Sequence, residues 1–259
     1  MTDTRQVGLI GYGAIGSVVG HELAAGHIPG ATLTCVVDRH GDAPRTTIEV
    51  ALQRCDLIVE VASQQAVREY GRRVLDAGAD LVVVSIGALA EPAFAEHLLA
   101  PAPGRLYFTS GAIGGLDLLA ASRALGPFEH VTLTTTKRPT TLVQPWMDQR
   151  ARAALLNATG PLEVYRGTAS DVPARFPKST NVAAAVALAV RNWNIIVNVC
   201  ADPAATMTTH VIHATGPHGS YHFEIRNAPD ETNPATSKVV PHAVLQAIAK
   251  IVGVSGQSV

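Results

Sequence analysis

Val7-Gly8-Leu9-Ile10-Gly11-Tyr12-Gly13-Ala14-Ile15-Gly16 is a short apolar run that enters glycines at the G-x-G-x-x-G spacing, and helix-favouring residues continue it over 17–25. A first strand passes into a first helix in this way when a pyrophosphate rests against the turn. Gly11 permits the tight turn, Gly13 leaves room for phosphate, and Gly16, after Ala14 and Ile15, lets helix and strand pack closely. The helix N-terminus presents free backbone N–H groups to an anion. The next apolar run, Leu33-Thr34-Cys35-Val36-Val37, closes on Asp38. An acid at that position accepts hydrogen bonds from ribose hydroxyls, although a strand-end aspartate is also an ordinary turn residue. Together these features predict a dinucleotide site. Asp38 favours NAD, whereas the adjacent Arg39 suits the 2′-phosphate of NADP, so the expected cofactor is NAD or NADP.

Outward from this turn, β-branched runs at 7–10, 33–37, 57–61, 81–85 and 106–109 alternate with helix-like segments at 17–25, 45–54, 64–77 and 91–100. The runs are apolar throughout, without period-two alternation, as strands covered on both faces are. This predicts an α/β fold, a Rossmann-type doubly wound parallel sheet forming a dinucleotide-binding domain over residues 1–110. Ligands of such sheets bind beyond the carboxyl ends of strands, which adds Ala62 and Ser63 after the third run and Ser85 and Gly87 after the fourth. The same residues also suit plain strand-to-helix caps.

The character changes after Thr109-Ser110-Gly111-Ala112-Ile113-Gly114-Gly115, where small residues let backbone approach a flat ring. Val131-Thr132-Leu133-Thr134-Thr135-Thr136 alternates apolar residues with threonine, the pattern of a half-buried strand. Residues 111–236 are therefore expected to form a second, α+β domain with a mixed or antiparallel sheet. A closing helix over about 237–259 can return to the first domain.

Of the 259 residues, 47% are hydrophobic and 16% charged, a composition that supports an extensive core. A net charge of −1 gives no reason to expect nucleic acid or an anionic membrane as partner. Three widely spaced cysteines make no disulfide framework and point to a reducing compartment. The first six residues lack a leader pattern, so the expected location is cytoplasmic.

Lys178, Ser179, Thr180 and Asn181 open an apolar helix, where an ammonium and exposed N–H groups can hold a carboxylate or the cofactor amide, and where the hydroxyl and amide side chains equally cap the helix. His210 closes the polar strand-like run Thr206-Met207-Thr208-Thr209 and carries a group that titrates near neutrality. His213 lies three residues on, so the two would face opposite sides of one strand, and no other spacing suggests a metal site. Thr236 and Ser237 precede the last helix and can meet a substrate carboxylate, although their spacing fits capping better.

Taken together, Gly11–Gly16, Asp56-Leu57-Ile58-Val59-Glu60-Val61-Ala62-Ser63, Ser85-Ile86-Gly87-Ala88-Leu89, Gly111-Ala112-Ile113-Gly114-Gly115-Leu116-Asp117, Phe176-Pro177-Lys178 with Asn181-Val182-Ala183-Ala184, Asp202-Pro203, His210, and Asn233-Pro234 with Thr236-Ser237 resemble the L-aspartate dehydrogenase family in order and spacing. The resemblance implies NAD(P)-dependent oxidative deamination of L-aspartate to iminosuccinate, which becomes oxaloacetate and ammonia or feeds NAD biosynthesis. It implies cofactor contacts at Ala112 and Asn181, a catalytic role for His210, and a homodimer built through the second-domain sheet. Three departures fall near the implied site: Val211 stands where the family carries an acid, Ala235 where it carries a lysine, and Ser179-Thr180 is unusual before Asn181. They open a second expectation, an imine reductase or amine dehydrogenase for another amino acid or amine. A third is a non-catalytic NAD(P)-binding sensor.

Overall fold

The computed structural model describes residues 4–39, 46–177, 181–231, 233–234 and 236–253. The chain divides into two compact units, Met1–Gly111 together with Val240–Val259, and Ala112–Val239.

The first unit is built on a five-stranded sheet of β1 (Arg5–Ile10), β2 (Ala31–Val37), β3 (Leu57–Glu60), β4 (Asp80–Val83) and β5 (Leu106–Phe108). All pairings are parallel, in the order β2-β1-β3-β4-β5. Val7, Leu9, Leu57, Ile58, Val59, Val82 and Val83 are essentially inaccessible, so these strands are buried on both faces. That explains their unbroken apolar runs. The helices are α1 (Ala14–Ala24), α2 (Ile48–Arg54), α3 (Gln64–Asp76) and α4 (Pro92–Leu99). The chain leaves β1 toward β2 on one side and returns to β3 on the other. The strand order therefore reverses at β1/β3, where open α/β sheets form their ligand crevice.

Two boundaries differ from expectation. α1 starts at Ala14, directly on the glycine turn, with Gly13 as its N-cap and no side chain capping it. The first N–H groups of α1 thus meet no side-chain acceptor of their own cap residue. The fourth strand ends at Val83 and a 3₁₀ turn follows over Ile86–Ala90.

The second unit carries β6 (His130–Lys137), β7 (Leu162–Thr168), β8 (Ile196–Ala201), β9 (Thr208–Gly216) and β10 (Gly219–Asn227) in the order β10-β9-β6-β8-β7. Only β6 and β8 run parallel, so the sheet is mixed. Its helices are α5 (Leu116–Leu125), α6 (Gln149–Leu156), the four-residue α7 (Val172–Arg175) and α8 (Asn181–Val190). α5 and α8 pack together, and α8 buries Ala183 through Ala187 and Val190. One sheet face is interior: β6 turns Val131, Leu133, Thr135 and Lys137 inward, while β9 buries Thr208, His210, Ile212 and Ala214. Period-two alternation places apolar residues at one end of that face and polar ones at the other.

The last helix, α9 (Val239–Ile251), returns to the first unit from Val240 onward and buries Val240, Val244, Leu245 and Ile248. Pro241 sits in its first turn, where its missing N–H costs no helical hydrogen bond. Among the described residues no helix is long and apolar enough to cross a membrane. Cys35 and Cys55 are buried, and burial, reinforced by Cys35, pushes the Cys55 thiol up to about 12.

Candidate active site

The carboxyl ends of β1, β2 and β3 open into a cleft of about 910 Å³ within the first unit. Gly11 and Gly13 line it from β1, Asp38 and Arg39 from β2, and Ala62 and Ser63 from β3. The three glycines do different work. Gly11 has φ +99°, and a Cβ there would fall 2.7 Å from that of Ala62. A Cβ on Gly16 would stand 2.3 Å from the Gly11 carbonyl oxygen, so this glycine permits α1 to rest on the turn. A Cβ on Gly13 would meet nothing within 4 Å. That open space at the uncapped N-terminus of α1, through Ala14 and Ile15, fits the phosphates of a dinucleotide.

Asp38 is held onto the same turn, its Oδ2 accepting the Tyr12 N–H. Arg39 points along α3, where its guanidinium donates to Glu69. Tyr70 and Glu69 together hold Arg39 above its ordinary value. Ser63 accepts the Ala66 N–H at 3.2 Å and so caps α3. The structure thus gathers Gly11, Gly13, Asp38, Arg39, Ala62 and Ser63 around one cleft.

Ser85 and Gly87 do not line it. Both are buried, and the Ser85 side chain is committed to a residue that sequence reasoning did not single out as functional, Glu60. Glu60 ends β3 with 1% exposure. Its Oε1 accepts the N–H groups of Ala62 and Ser63, each at 2.8 Å, and the Ser85 hydroxyl at 2.9 Å. Oε2 accepts the N–H groups of Ser85 at 2.9 Å and Val84 at 3.3 Å. Burial pushes this carboxyl upward from the ordinary range, against the pull of those hydrogen bonds. Donors alone around both oxygens suit the carboxylate, since an acid proton would need an acceptor. Glu60 thereby ties the loop after β3 to the loop after β4. The sequence signs were an acid ending an apolar run and its place in the 56–63 stretch that carries the family resemblance.

In the second unit His210 is 2% exposed, and its Nδ1 lies 3.0 Å from the Thr135 hydroxyl. The two residues are register partners on β9 and β6. Lys137, two positions beyond Thr135 on the same face, is 5% exposed. Burial lowers Lys137 to about 8. Burial, with the Lys137 charge adding to it, lowers His210 to about 3. Lys137 and Thr135 were missed because a lysine and a threonine at a strand end read as solvent-facing. Val211 occupies the other face of β9, so this departure from the family pattern points away from His210. His213 is likewise on that other face, exposed and 3.1 Å from His222.

The Ala112 carbonyl accepts the Asn227 amide at 2.7 Å, and Asn227 pairs with Thr208, two residues before His210. Asn181 is the first residue of α8. Lys178, Ser179, Thr180 and Ala235 lie outside the described residues. In the loop before α9, the Thr236 hydroxyl accepts the Asn233 amide at 3.2 Å, and buried Ser237 bridges to Pro229. Among the described residues no group of three or more His, Cys, Asp or Glu is placed to hold a metal ion.

Comparison with known proteins agrees with this geometry. The family described as aspartate dehydrogenase, C-terminal, matches residues 117–251. An L-aspartate dehydrogenase of Ruegeria pomeroyi is 38% identical over 95% of this chain and 92% of its own length. The chain belongs to the aspartate dehydrogenase family. It is accordingly an oxidoreductase using NAD or NADP, and residues 11–105 match the NAD-binding domain described for homoserine dehydrogenase. Another aspartate dehydrogenase, from Archaeoglobus fulgidus, is 33% identical over 95% of this chain and 97% of its own. The crystal structure of aspartate dehydrogenase from Thermotoga maritima superposes with a TM-score of 0.75 at 25% identity, covering 98% of this chain and 99% of that one.

Proposed function

We propose that this chain interconverts L-aspartate and iminosuccinate with NAD or NADP, water then releasing oxaloacetate and ammonia from the imine. The observation that carries this reading is His210, a buried imidazole fixed through Nδ1 by Thr135 in a chain of this family. With the Thr135 hydroxyl accepting from Nδ1–H, Nε2 is the basic nitrogen. It takes the proton released as the substrate amine becomes an imine, and it activates the water that adds to that imine. The dinucleotide, when bound, supplies the hydride acceptor at nicotinamide C4.

The first unit holds that dinucleotide. Gly11, Gly13, Ala14, Ile15 and Gly16 receive the pyrophosphate, and Asp38 receives the ribose. Arg39 is already paired with Glu69, which supports NAD as the form that enters without rearranging this end of the cleft. Ala62 and Ser63 flank the cofactor, and Glu60 sets the position of both, with Ser85 and Gly87 on the adjoining loop. We assign Ala112 and Asn181 to the cofactor as well. We assign Lys178, Ser179, Thr180, Thr236 and Ser237 to the substrate. Two copies pair through the sheet of the second unit, as the family resemblance implies. The unpaired cysteines support a reducing, cytoplasmic setting.

The test is absorbance of the reduced nicotinamide, with L-aspartate and NAD or NADP in one direction and oxaloacetate, ammonia and NADH or NADPH in the other. Turnover in both directions is expected. Turnover only with a different amino acid or amine would replace the substrate, and tight cofactor binding without any turnover would leave a sensor.

A further inference from the structure

The inward face of β6 reads Val131, Leu133, Thr135, Lys137, and that of β9, running the other way, reads Ala214, Ile212, His210, Thr208. An apolar face therefore ends in two hydroxyls, an imidazole and an ammonium, all buried. Among the described residues Lys137 is the one lysine or arginine in that state. Thr135 is the register partner of His210, so Lys137, two positions further along β6 on the same face, stands beside the imidazole, where a compact cation can meet an anionic group of a substrate. Arg138, next in the chain, does not share the position. It is exposed and donates to the Ala205 carbonyl at 2.7 Å.

We propose that the Lys137 ammonium anchors one carboxylate of a dicarboxylic substrate beside His210 and so selects dicarboxylates over neutral amino acids. This rests on the aspartate reading above. Aspartate and iminosuccinate both carry two carboxylates, so an anchor of this kind serves either direction of reaction. Lys137 makes and breaks no bond. A flexible stem with three donors on a compact charge suits a carboxylate in a dry site. The anchor also bears on the base: the Lys137 charge adds to burial in keeping His210 neutral, and a docked carboxylate offsets that charge and raises the proton affinity of the imidazole when a proton must be taken.

The test combines turnover with binding of succinate, a dicarboxylate without an amine to oxidise. Calorimetry measures succinate on the enzyme saturated with NADH. In K137M the succinate Kd and the KM for L-aspartate should rise about 10²-fold, as loss of one partner of a desolvated charge pair does. The value of kcat should fall much less, and NADH affinity should hold. Turnover of a neutral amino acid such as L-alanine should change little, and K137R should recover part of the succinate binding. Succinate affinity equal to wild type in K137M, or in K137Q should the methionine variant not fold, overturns the anchor. A wild type that turns over L-aspartate alongside an equally active K137M keeps the aspartate reading and overturns the anchor. A wild type that binds succinate through Lys137 but leaves L-aspartate untouched keeps the anchor and overturns the reaction.

Discussion

Glu60 and Lys137 both end strands as charged side chains with almost no exposure, 1% and 5%, yet their surroundings differ in kind. Around Glu60 stand four backbone N–H groups and one hydroxyl, fixed dipoles that do not titrate. Beside Lys137 stands His210, a second base, and burial pushes each toward its neutral form, as it does Glu60. The first arrangement opposes that push with fixed dipoles and locks two loops. The second leaves protons easily moved. Burial alone therefore does not mark a reactive group; the titratability of its neighbours does.

The contrast can be broken in four ways. The largest effect is expected from H210A, which should lower kcat by roughly 10²-fold or more, the scale of a lost acid–base group, with NAD(P) affinity nearly unchanged. An equally active variant would remove His210 from the chemistry. Next is E60Q, which turns a donor toward donors. Urea denaturation should show a loss of about 2 kcal/mol, the cost of leaving a buried N–H without an acceptor. A stable E60Q would mean that the carboxylate is not the lock. Third, G13V projects into empty space, so the melting temperature should stay near wild type while dinucleotide affinity, read by fluorescence titration, drops about tenfold, as when a charge-assisted bond is lost. Unchanged affinity would place the phosphates elsewhere.

The effect that is smallest over a single pH unit is a slope. His210 is depressed from 6.5 to about 3 on folding, so between those values the unfolded chain binds a proton that the folded chain does not. Stability should fall as pH drops through that window, by up to about 1.4 kcal/mol per unit from this one group. H210N should show a shallower slope in denaturation series at several pH values. Identical slopes would mean that the imidazole is charged in the fold.

The turn at Gly11–Gly16 was readable because its requirements are local: backbone conformation at Gly11, space at Gly13, contact distance at Gly16. The unbroken apolar strands of the first unit and the alternating Val131–Thr136 stretch were readable for a similar reason, since period reports how many faces are covered. Sheet order was not, because the parallel pairing of β6 with β8 joins residues some sixty positions apart, Thr132 with Ile196 among them. The same long reach hid Glu60, whose partner Ser85 lies on another strand's loop, and Lys137, whose burial depends on β9 arriving alongside. Conversely, the local reading of Ser63 as a cap was sound, since one hydroxyl and one N–H three residues on suffice. The 3₁₀ turn over Ile86–Ala90 had no cue in its small and apolar residues.

Because α9 joins the unit formed by Met1–Gly111, the chain's two ends complete one body while the stretch between them forms another. On the ribosome, where domains ordinarily fold in the order they emerge, the contiguous Ala112–Val239 unit has all its residues available before the one that began the chain. The first unit's sheet waits for α9 to be synthesised, and the newborn chain is thus able to shape the part bearing His210 before it finishes the part bearing the glycine turn.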